Sequence, residues 1–477
     1  MRLGIFLVLA TLLLACIAKQ RAPEYDEAYS IFLTAGDAHP AWPAGVFTAA
    51  SVRGFYAPHA SLRRISRDLK VFDVHPPLYF WALEGWRRCF GPGWFTARLL
   101  SVLFSVAALA VLGAIARAAG VPVIPALALT LLSYGFAYTG TVARGFALAQ
   151  LFNLVGFYIV LQAQREPRQA RALLAGLAFG TASFTNYLAV FTAGAVFFWL
   201  CLRAPRRLPP GLALGLLPFL ALDFSYFRVQ RDARVGQFVA FSPFHALAEL
   251  ARDSGAAVFG GLPVYAAPHG MLVALALALL ALACLACALA HQSPYRLLLA
   301  LAVTATPCGL LALGLVFGNT PIEIRYLAFS LPYLALLLAA ALPRWLLWPM
   351  LAVQVCGIFG LIFAHATMQP QGLAAAQASA LAQPGAVILV PFGNDGVGIP
   401  GPFIAALPGA ARVELLHAGQ VPDFTGVHEI ILAKIAVDAA SRTATTQALK
   451  TFEAPGCFTL GKSTPLAVRV HNHCVTP

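Results

Sequence analysis

Asp26 and Glu27 stand side by side in Tyr25-Asp26-Glu27-Ala28-Tyr29-Ser30, directly after the first apolar segment. Carboxylates beside a bilayer are costly to hold, so ionisable groups there are candidates for function. In a partly dehydrated cleft a carboxylate can take the proton of a hydroxyl as that hydroxyl attacks, which makes the pair a candidate general base. A plain charge pair with Lys19 or Arg21 explains the same residues equally well.

A second cluster, Asp73-Val74-His75-Pro76-Pro77-Leu78, follows at the next apolar boundary. Two prolines end an extended segment and open a helix with a fixed entry. That would hold Asp73 and His75 rigidly at the membrane surface, suited to metal ligation, acceptor binding or orienting a base; ordinary helix-start grammar is the plainer alternative. Arg144 and Arg325 each fall at the end of an apolar run. A guanidinium there can grip a phosphate through two parallel hydrogen bonds, or simply snorkel to the headgroups. Glu323 can position Arg325 or mask it. His471-Asn472-His473 offers two ligands on one strand face, too few for a metal, and reads as surface. The chain carries no P-loop, no Ser-His-Asp spacing and no dinucleotide fingerprint.

The elements that must position these groups are membrane helices. Of 477 residues, 60% are hydrophobic and only 11% charged, against about 25% charged in a soluble domain. The net charge of +13 comes largely from Arg in short gaps between apolar runs, the positive-inside pattern. Membrane lipids or a phosphorylated lipid suit it better than nucleic acid, since no basic stripe is interleaved with aromatics. A span needs about 20 apolar residues, and the chain offers candidates at 3–18, 98–117, 122–140, 145–162, 172–186, 188–202, 209–224, 271–290, 297–317, 326–342 and 345–364. The first is expected to be an uncleaved helix, although Leu13-Leu14-Ala15-Cys16 is similar to a lipoprotein cleavage site.

Arg165, Arg168 and Arg171 precede the 172–202 hairpin, and Arg203, Arg206 and Arg207 follow it. With both clusters cytoplasmic, the tip Thr185-Asn186-Tyr187 faces outward, together with Asp26, Arg144, Arg325 and the tail; Arg117, Arg296 and Arg344 fall inside. The parity requires that 78–96, interrupted by Arg87 and Arg88, lie in the interface or re-enter. The Asp26 and Asp73 clusters are then expected to face each other on the outer side. External loops run over 19–77 and 225–270. Within them, the basic stretch Ser61–Lys70 and the segment Pro243–Gly261 suit interfacial helices.

From about 369 the composition changes. Runs at 386–390 and 429–433 read as strands, with a short helix between them at 401–411. The expected domains are therefore 1–365, a membrane domain, and 369–477, a small α/β extracytoplasmic tail. Seven cysteines lie in or beside apolar runs. Cys284 and Cys287 have a metal-like spacing but no further ligands, and read as small buried hydrophobes. Cys457 and Cys474 in the tail are suited to a disulfide.

The order of these pieces resembles the polytopic GT-C glycosyltransferases, and within them the bacterial glycosyltransferase family 39. That family includes protein O-mannosyltransferases, aminoarabinose transferases and galacturonosyltransferases. The likeness covers about residues 1–365 and rests on Tyr25-Asp26-Glu27-Ala28-Tyr29, Asp73 to Tyr79, Phe90-Gly91 with Ala97-Arg98-Leu99, Ala143 to Leu148, Thr185-Asn186-Tyr187 and Arg325-Tyr326-Leu327. The resemblance implies an all-α GT-C-like bundle of about 11–13 transmembrane helices in the bacterial inner membrane. It also implies inverting transfer of a sugar from a polyprenyl-phosphate-sugar donor to a lipid or glycan acceptor. Asp26 would be the base, assisted by Glu27; Arg144 and Arg325 would bind the donor phosphate; Asp73, His75, Asn186 and Tyr187 would bind substrate. Family members often need a divalent ion, for which Glu27, His75 and Asp73 are the candidates.

The chain departs from the pattern in three places. Val142-Ala143 stands where relatives often have Glu before the Arg. Asn186 stands where many have His. Tyr79-Phe80 follows Pro-Pro-Leu where protein mannosyltransferases have Gly-Lys, which speaks against protein O-mannosylation. A secondary transporter or lipid flippase is the rival class. It would place charge at mid-membrane on broken helices, and here only Asp223 fits. A non-catalytic family member is a third reading.

Overall fold

In a computed structural model the described residues are 2–230, 239–364, 369–420, 424 and 426–474. The loop residues Arg231, Asp232 and Arg234 lie outside them. The chain forms two compact units: Met1–Ala18, Leu69–Tyr79 and Arg98–Ala364 make the first, and Lys19–Asp68, Phe80–Ala97 and His365–Pro477 the second. Where composition suggested one division near residue 365, the units are interleaved. The reason is sheet pairing: strand Phe47–Thr48 of the first loop joins a tail strand.

The first unit is all helical. Among the described residues, eight helices are long and apolar enough to cross a membrane: Arg2–Gln20, Trp94–Ala118, Phe146–Arg165, Leu208–Gln230, Gly270–Ala290, Arg296–Phe317, Ile324–Ala341 and Arg344–Phe363. The other three expected spans are also helical but shorter. The 122–140 segment is broken into Val123–Leu131 and Tyr134–Thr139, and the hairpin comprises Gln169–Ser183 and Val190–Arg203. Helix Leu78–Phe90 has 13 residues, about 20 Å, too short to cross hydrocarbon of about 30 Å. Pro243–Phe259 forms the second loop helix.

Two close approaches fix the hairpin. A Cβ on Gly176 would meet the Leu212 carbonyl at 2.1 Å, and one on Gly215 the Leu173 carbonyl at 2.2 Å. Helices Gln169–Ser183 and Leu208–Gln230 therefore pack backbone to backbone, as small residues permit in membranes. The carbonyl of Ala18, near the end of the first helix, accepts from Arg98 Nη1 at 2.8 Å, a cation meeting exposed helix-end carbonyls.

The second unit contains a six-stranded sheet: β1 (Phe47–Thr48), β2 (Val387–Pro391), β3 (Arg412–Leu416), β4 (Glu429–Ala433), β5 (Phe458–Ser463) and β6 (Ala467–Asn472), in spatial order β1-β3-β2-β4-β6-β5. β2 runs parallel to β3 and β4, and the other pairs are antiparallel. The parallel centre explains why Val387–Pro391 is an uninterrupted buried run. Helices Gln371–Leu381 and Pro400–Ala406 cover one face, and Ala439–Glu453 the other. Cys457 and Cys474 form a disulfide, with Cα atoms 5.0 Å apart. Cys284 and Cys287 are free thiols.

Candidate active site

Within the first unit, one end of the helical bundle gathers most of the polar residues singled out by sequence. Arg144 lies in the turn before helix Phe146–Arg165 and donates from Nη1 to Asp73 Oδ2 at 3.0 Å. Both side chains are 4% exposed. His75 Nδ1 lies 2.6 Å from Asp73 Oδ1, and Arg144 Nη2 approaches the same nitrogen at 3.3 Å. In the tautomer with the proton on Nδ1, the imidazole donates to Asp73 Oδ1. The Val74 amide also donates to Asp73 Oδ1, at 2.6 Å. Asp73 is thus the hub that orients both the imidazole and the guanidinium, which explains the Asp-x-His spacing better than helix-start grammar does.

Gly145 lets this cluster form. A Cβ there would meet the Thr185 carbonyl at 2.8 Å and Tyr79 Cβ at 3.4 Å. The hairpin tip and the Pro76-Pro77 helix start therefore both pack on the turn that carries Arg144. Tyr79, held by Ser101 Oγ at 3.0 Å, anchors that start.

At the tip, the Tyr187 hydroxyl donates to Gln230 Oε1 at 2.7 Å. Gln230 Nε2 donates to the carbonyls of Leu69 at 2.8 Å and His75 at 3.2 Å. Asn186 Oδ1 accepts from the Leu188 amide at 3.1 Å and caps its own turn, a structural use of that oxygen. Lys70 Nζ stands 4.7 Å from the centre of the Tyr226 ring. Sequence reading missed Gln230 and Lys70 as parts of this cluster. A single amide at the end of an apolar run carries no pattern, and Lys70 read as one charge of a basic helix.

Arg325 lies at the same end of the helices. Its Nη2 is 2.5 Å from Glu323 Oε2, and its guanidinium carbon lies 5.3 Å from the Tyr326 ring centre. Tyr326 and Phe329 pack on Phe146, two residues after Arg144. Glu323 thus pairs with Arg325, one of the two roles expected for it.

Asp26 and Glu27 belong to the second unit. They occupy the first turn of helix Tyr25–Ala35, where exposed backbone N–H groups favour negative charge. Asp26 is half-buried and Glu27 fully buried. Arg21, one of the expected partners of the acidic pair, forms a buried ion pair with Glu24. The helix is held at its other end by Arg87. This fully buried guanidinium donates to the carbonyl of Ile31 at 3.0 Å, to Thr34 Oγ1, to the carbonyl of Tyr56 and to that of Pro92 at 3.2 Å. The arginine that interrupts the apolar run 78–96 is therefore a buried strut.

Among the described residues no group of three or more His, Cys, Asp or Glu side chains is gathered as a metal site would require. Asp73 and His75 supply two donors and face a guanidinium, which does not suit a divalent cation.

The fold, a bundle of long apolar helices in one chain with a small α/β unit, is shared with solved structures of the GT-C type. The chain is similar to ArnT from Cupriavidus metallidurans. For ArnT bound to undecaprenyl phosphate the TM-score is 0.51 at 12% identity, over 99% of both chains. For the apo state it is 0.51 at 14% identity, again over 99% of both. Arabinofuranosyltransferase AftD from Mycobacteria aligns at a TM-score of 0.44 and 13% identity, over 98% of this chain and 41% of that one, too loosely to carry weight. No family model matches the chain, and no curated protein does.

Proposed function

We propose that the chain is an inner-membrane glycosyltransferase that moves a sugar from a polyprenyl-phosphate donor to a lipid or glycan acceptor on the extracytoplasmic face, with inversion. The observation that carries this reading is Arg144. It is a buried guanidinium at the end of a membrane helix, fixed in place by Asp73, with His75 against it. Holding such a cation at membrane depth is costly, and its five donors in a planar fork can engage Asp73 and a phosphate together.

In the reaction, Asp26 takes the acceptor hydroxyl's proton and the oxygen attacks the anomeric carbon. The bond from that carbon to the phosphate oxygen breaks, and polyprenyl phosphate leaves with the electron pair. Arg144 and Arg325 offset the growing phosphate charge. One displacement inverts the centre. Glu27, fully buried next to the half-buried Asp26 in sequence, has the supporting part in this reading and Asp26 that of the base. Tyr187 and His75 would contact substrate through hydroxyl and Nε2. No step is routed through a divalent ion, and none of the residues fixes the sugar or the acceptor.

The Cys457–Cys474 disulfide supports an oxidising, extracytoplasmic setting for the tail. The Arg165–Arg171 and Arg203–Arg207 clusters lie at the opposite helix ends from Arg144, which supports the same orientation. The transporter reading keeps one observation, the buried carboxylate of Asp223 inside helix Leu208–Gln230. Purified protein supplied with a polyprenyl-phosphate sugar decides between them. Release of polyprenyl phosphate with transfer, abolished in Asp26→Asn without loss of folded protein, is the expected result. Turnover near wild type in Asp26→Asn removes Asp26 from the mechanism, and vesicle transport without donor consumption overturns the transferase reading.

A further inference from the structure

In open parallel sheets, ligands bind outside the carboxyl ends of the strands, at the point where strand order reverses. In the second unit that point falls beside β2, since β3 lies on one side of it and β4 on the other. The loop leaving β2 is Phe392-Gly393-Asn394-Asp395-Gly396-Val397-Gly398. Its base is tied to the sheet: the Asn394 amide donates to Asp438 Oδ2 at 3.0 Å, and Phe392 stacks on His417, just past β3, at 4.2 Å between ring centres.

What meets this loop is the chain's own Asp26 helix. The Tyr29 hydroxyl donates to Asp395 Oδ2, while Asp395 Oδ1 accepts from the Val397 amide at 3.0 Å. Gly398 lies against the Tyr25 ring, where a Cβ would come within 2.4 Å, and a Cβ on Gly401 would come within 2.8 Å of Phe32. The Tyr25 and Tyr29 hydroxyl oxygens are 3.3 Å apart, and the Tyr25 amide donates to Gln369 Oε1 at 3.3 Å. Trp42 Nε1 donates to the Gly396 carbonyl at 2.7 Å, and the Tyr56 hydroxyl to the Gly401 carbonyl at 3.0 Å.

Resting on the reading of Asp26 as base, we infer that the C-terminal tail is a positioning device for that base. Its Asp395 loop clamps Tyr25 and Tyr29, the residues one before and three after Asp26, and so fixes the side chain between them. The tail's ligand crevice is thereby filled from within the chain. Asp395 and Tyr29 are positioning residues: neither is assigned contact with the reacting atoms. Tyr29 stays a neutral donor, because burial first and the Asp395 charge second hold its phenol well above its ordinary value.

The test is donor and acceptor kinetics on the full-length protein for Asp26→Asn, and for Tyr29→Phe, Asp395→Ala and Asp395→Asn, each alone and on the Asp26→Asn background. Misplacement of a reacting group by a remote change costs up to about 100-fold. Tyr29→Phe and Asp395→Ala are therefore expected to lower kcat about 10- to 100-fold while donor KM changes by less than about twofold. Asp395→Asn, which keeps an acceptor for Tyr29, should recover most of the loss. On the Asp26→Asn background the Tyr29→Phe change should remove nothing further. An inactive Asp26→Asn beside fully active Tyr29→Phe and Asp395→Ala overturns the inference alone, as does a loss confined to KM. An active Asp26→Asn overturns the base assignment, and the inference with it.

Discussion

Removing the Arg144 charge at constant shape, as Arg144→Met, separates what the arginine does for the fold from what it does for the reaction. The substitution leaves the Asp73 carboxylate buried, 4% exposed, without the guanidinium that sits 3.0 Å from Oδ2. Breaking a buried ion pair from one side costs about 3–5 kcal/mol, because the remaining charge stays dehydrated. His75 and the Val74 amide still serve Oδ1, so the lower part of that range is expected. Arg144→Met/Asp73→Asn removes both charges and should regain most of the stability, to within about 1 kcal/mol. Catalysis should not follow. If Arg144 meets the donor phosphate, the single and double variants both lose about 10²- to 10³-fold in transfer, the worth of a positioned charge-stabilising donor. Thermal unfolding in detergent and single-turnover transfer measure the two effects. A double variant that is both stable and fully active would refute the phosphate role and leave Arg144 as a counter-ion. A single variant as stable as wild type would refute the buried pair.

Arg87→Leu removes the donor to the carbonyls of Ile31, Tyr56 and Pro92 and should destabilise the second unit by about 1–3 kcal/mol for each one left unsatisfied, seen as lower melting and faster proteolysis within residues 19–68. Arg87→Lys should recover little, since one ammonium cannot reproduce the fork that reaches Ile31, Tyr56 and Pro92. Reduction of Cys457–Cys474, which closes a loop of separation 17, should cost the tail about 3 kcal/mol, read from melting of the full chain with and without reductant. Because the Tyr29 pKa is raised, its share of stability is complete below the ordinary phenol value of about 10 and is lost as pH rises above it. Melting of wild type should therefore fall more between pH 9 and 11 than that of Tyr29→Phe, and parallel curves would contradict the buried hydroxyl.

The spans were legible because hydrocarbon leaves the backbone no partner but itself, so about 20 apolar residues can do little except form a helix. All the expected spans are helical, and the break at 132–133 and the shortness of 169–183 are refinements of length. Strands Val387–Pro391 and Glu429–Ala433 were equally legible, since parallel strands buried on both faces are continuous apolar runs. β3, reading Arg-Val-Glu-Leu-Leu, and the hairpin β5–β6 were not seen, for β5 is largely exposed and β3 and β6 mix buried with half-buried residues, so none of them is an uninterrupted apolar run.

By itself the sequence singled out Asp73, His75, Arg144 and Arg325 as residues at helix ends, because short-range rules place Pro, Arg and acidic residues at such boundaries. Only the tertiary structure decided which of them meet. That Asp73 orients both His75 and Arg144 depends on the bundle bringing together residues 71 positions apart. That Asp395 holds Tyr29 depends on a sheet that recruits the first loop across 366 positions. Such pairings are set by packing and closure, whose energies belong to no local stretch of chain, and no spacing along the sequence records them.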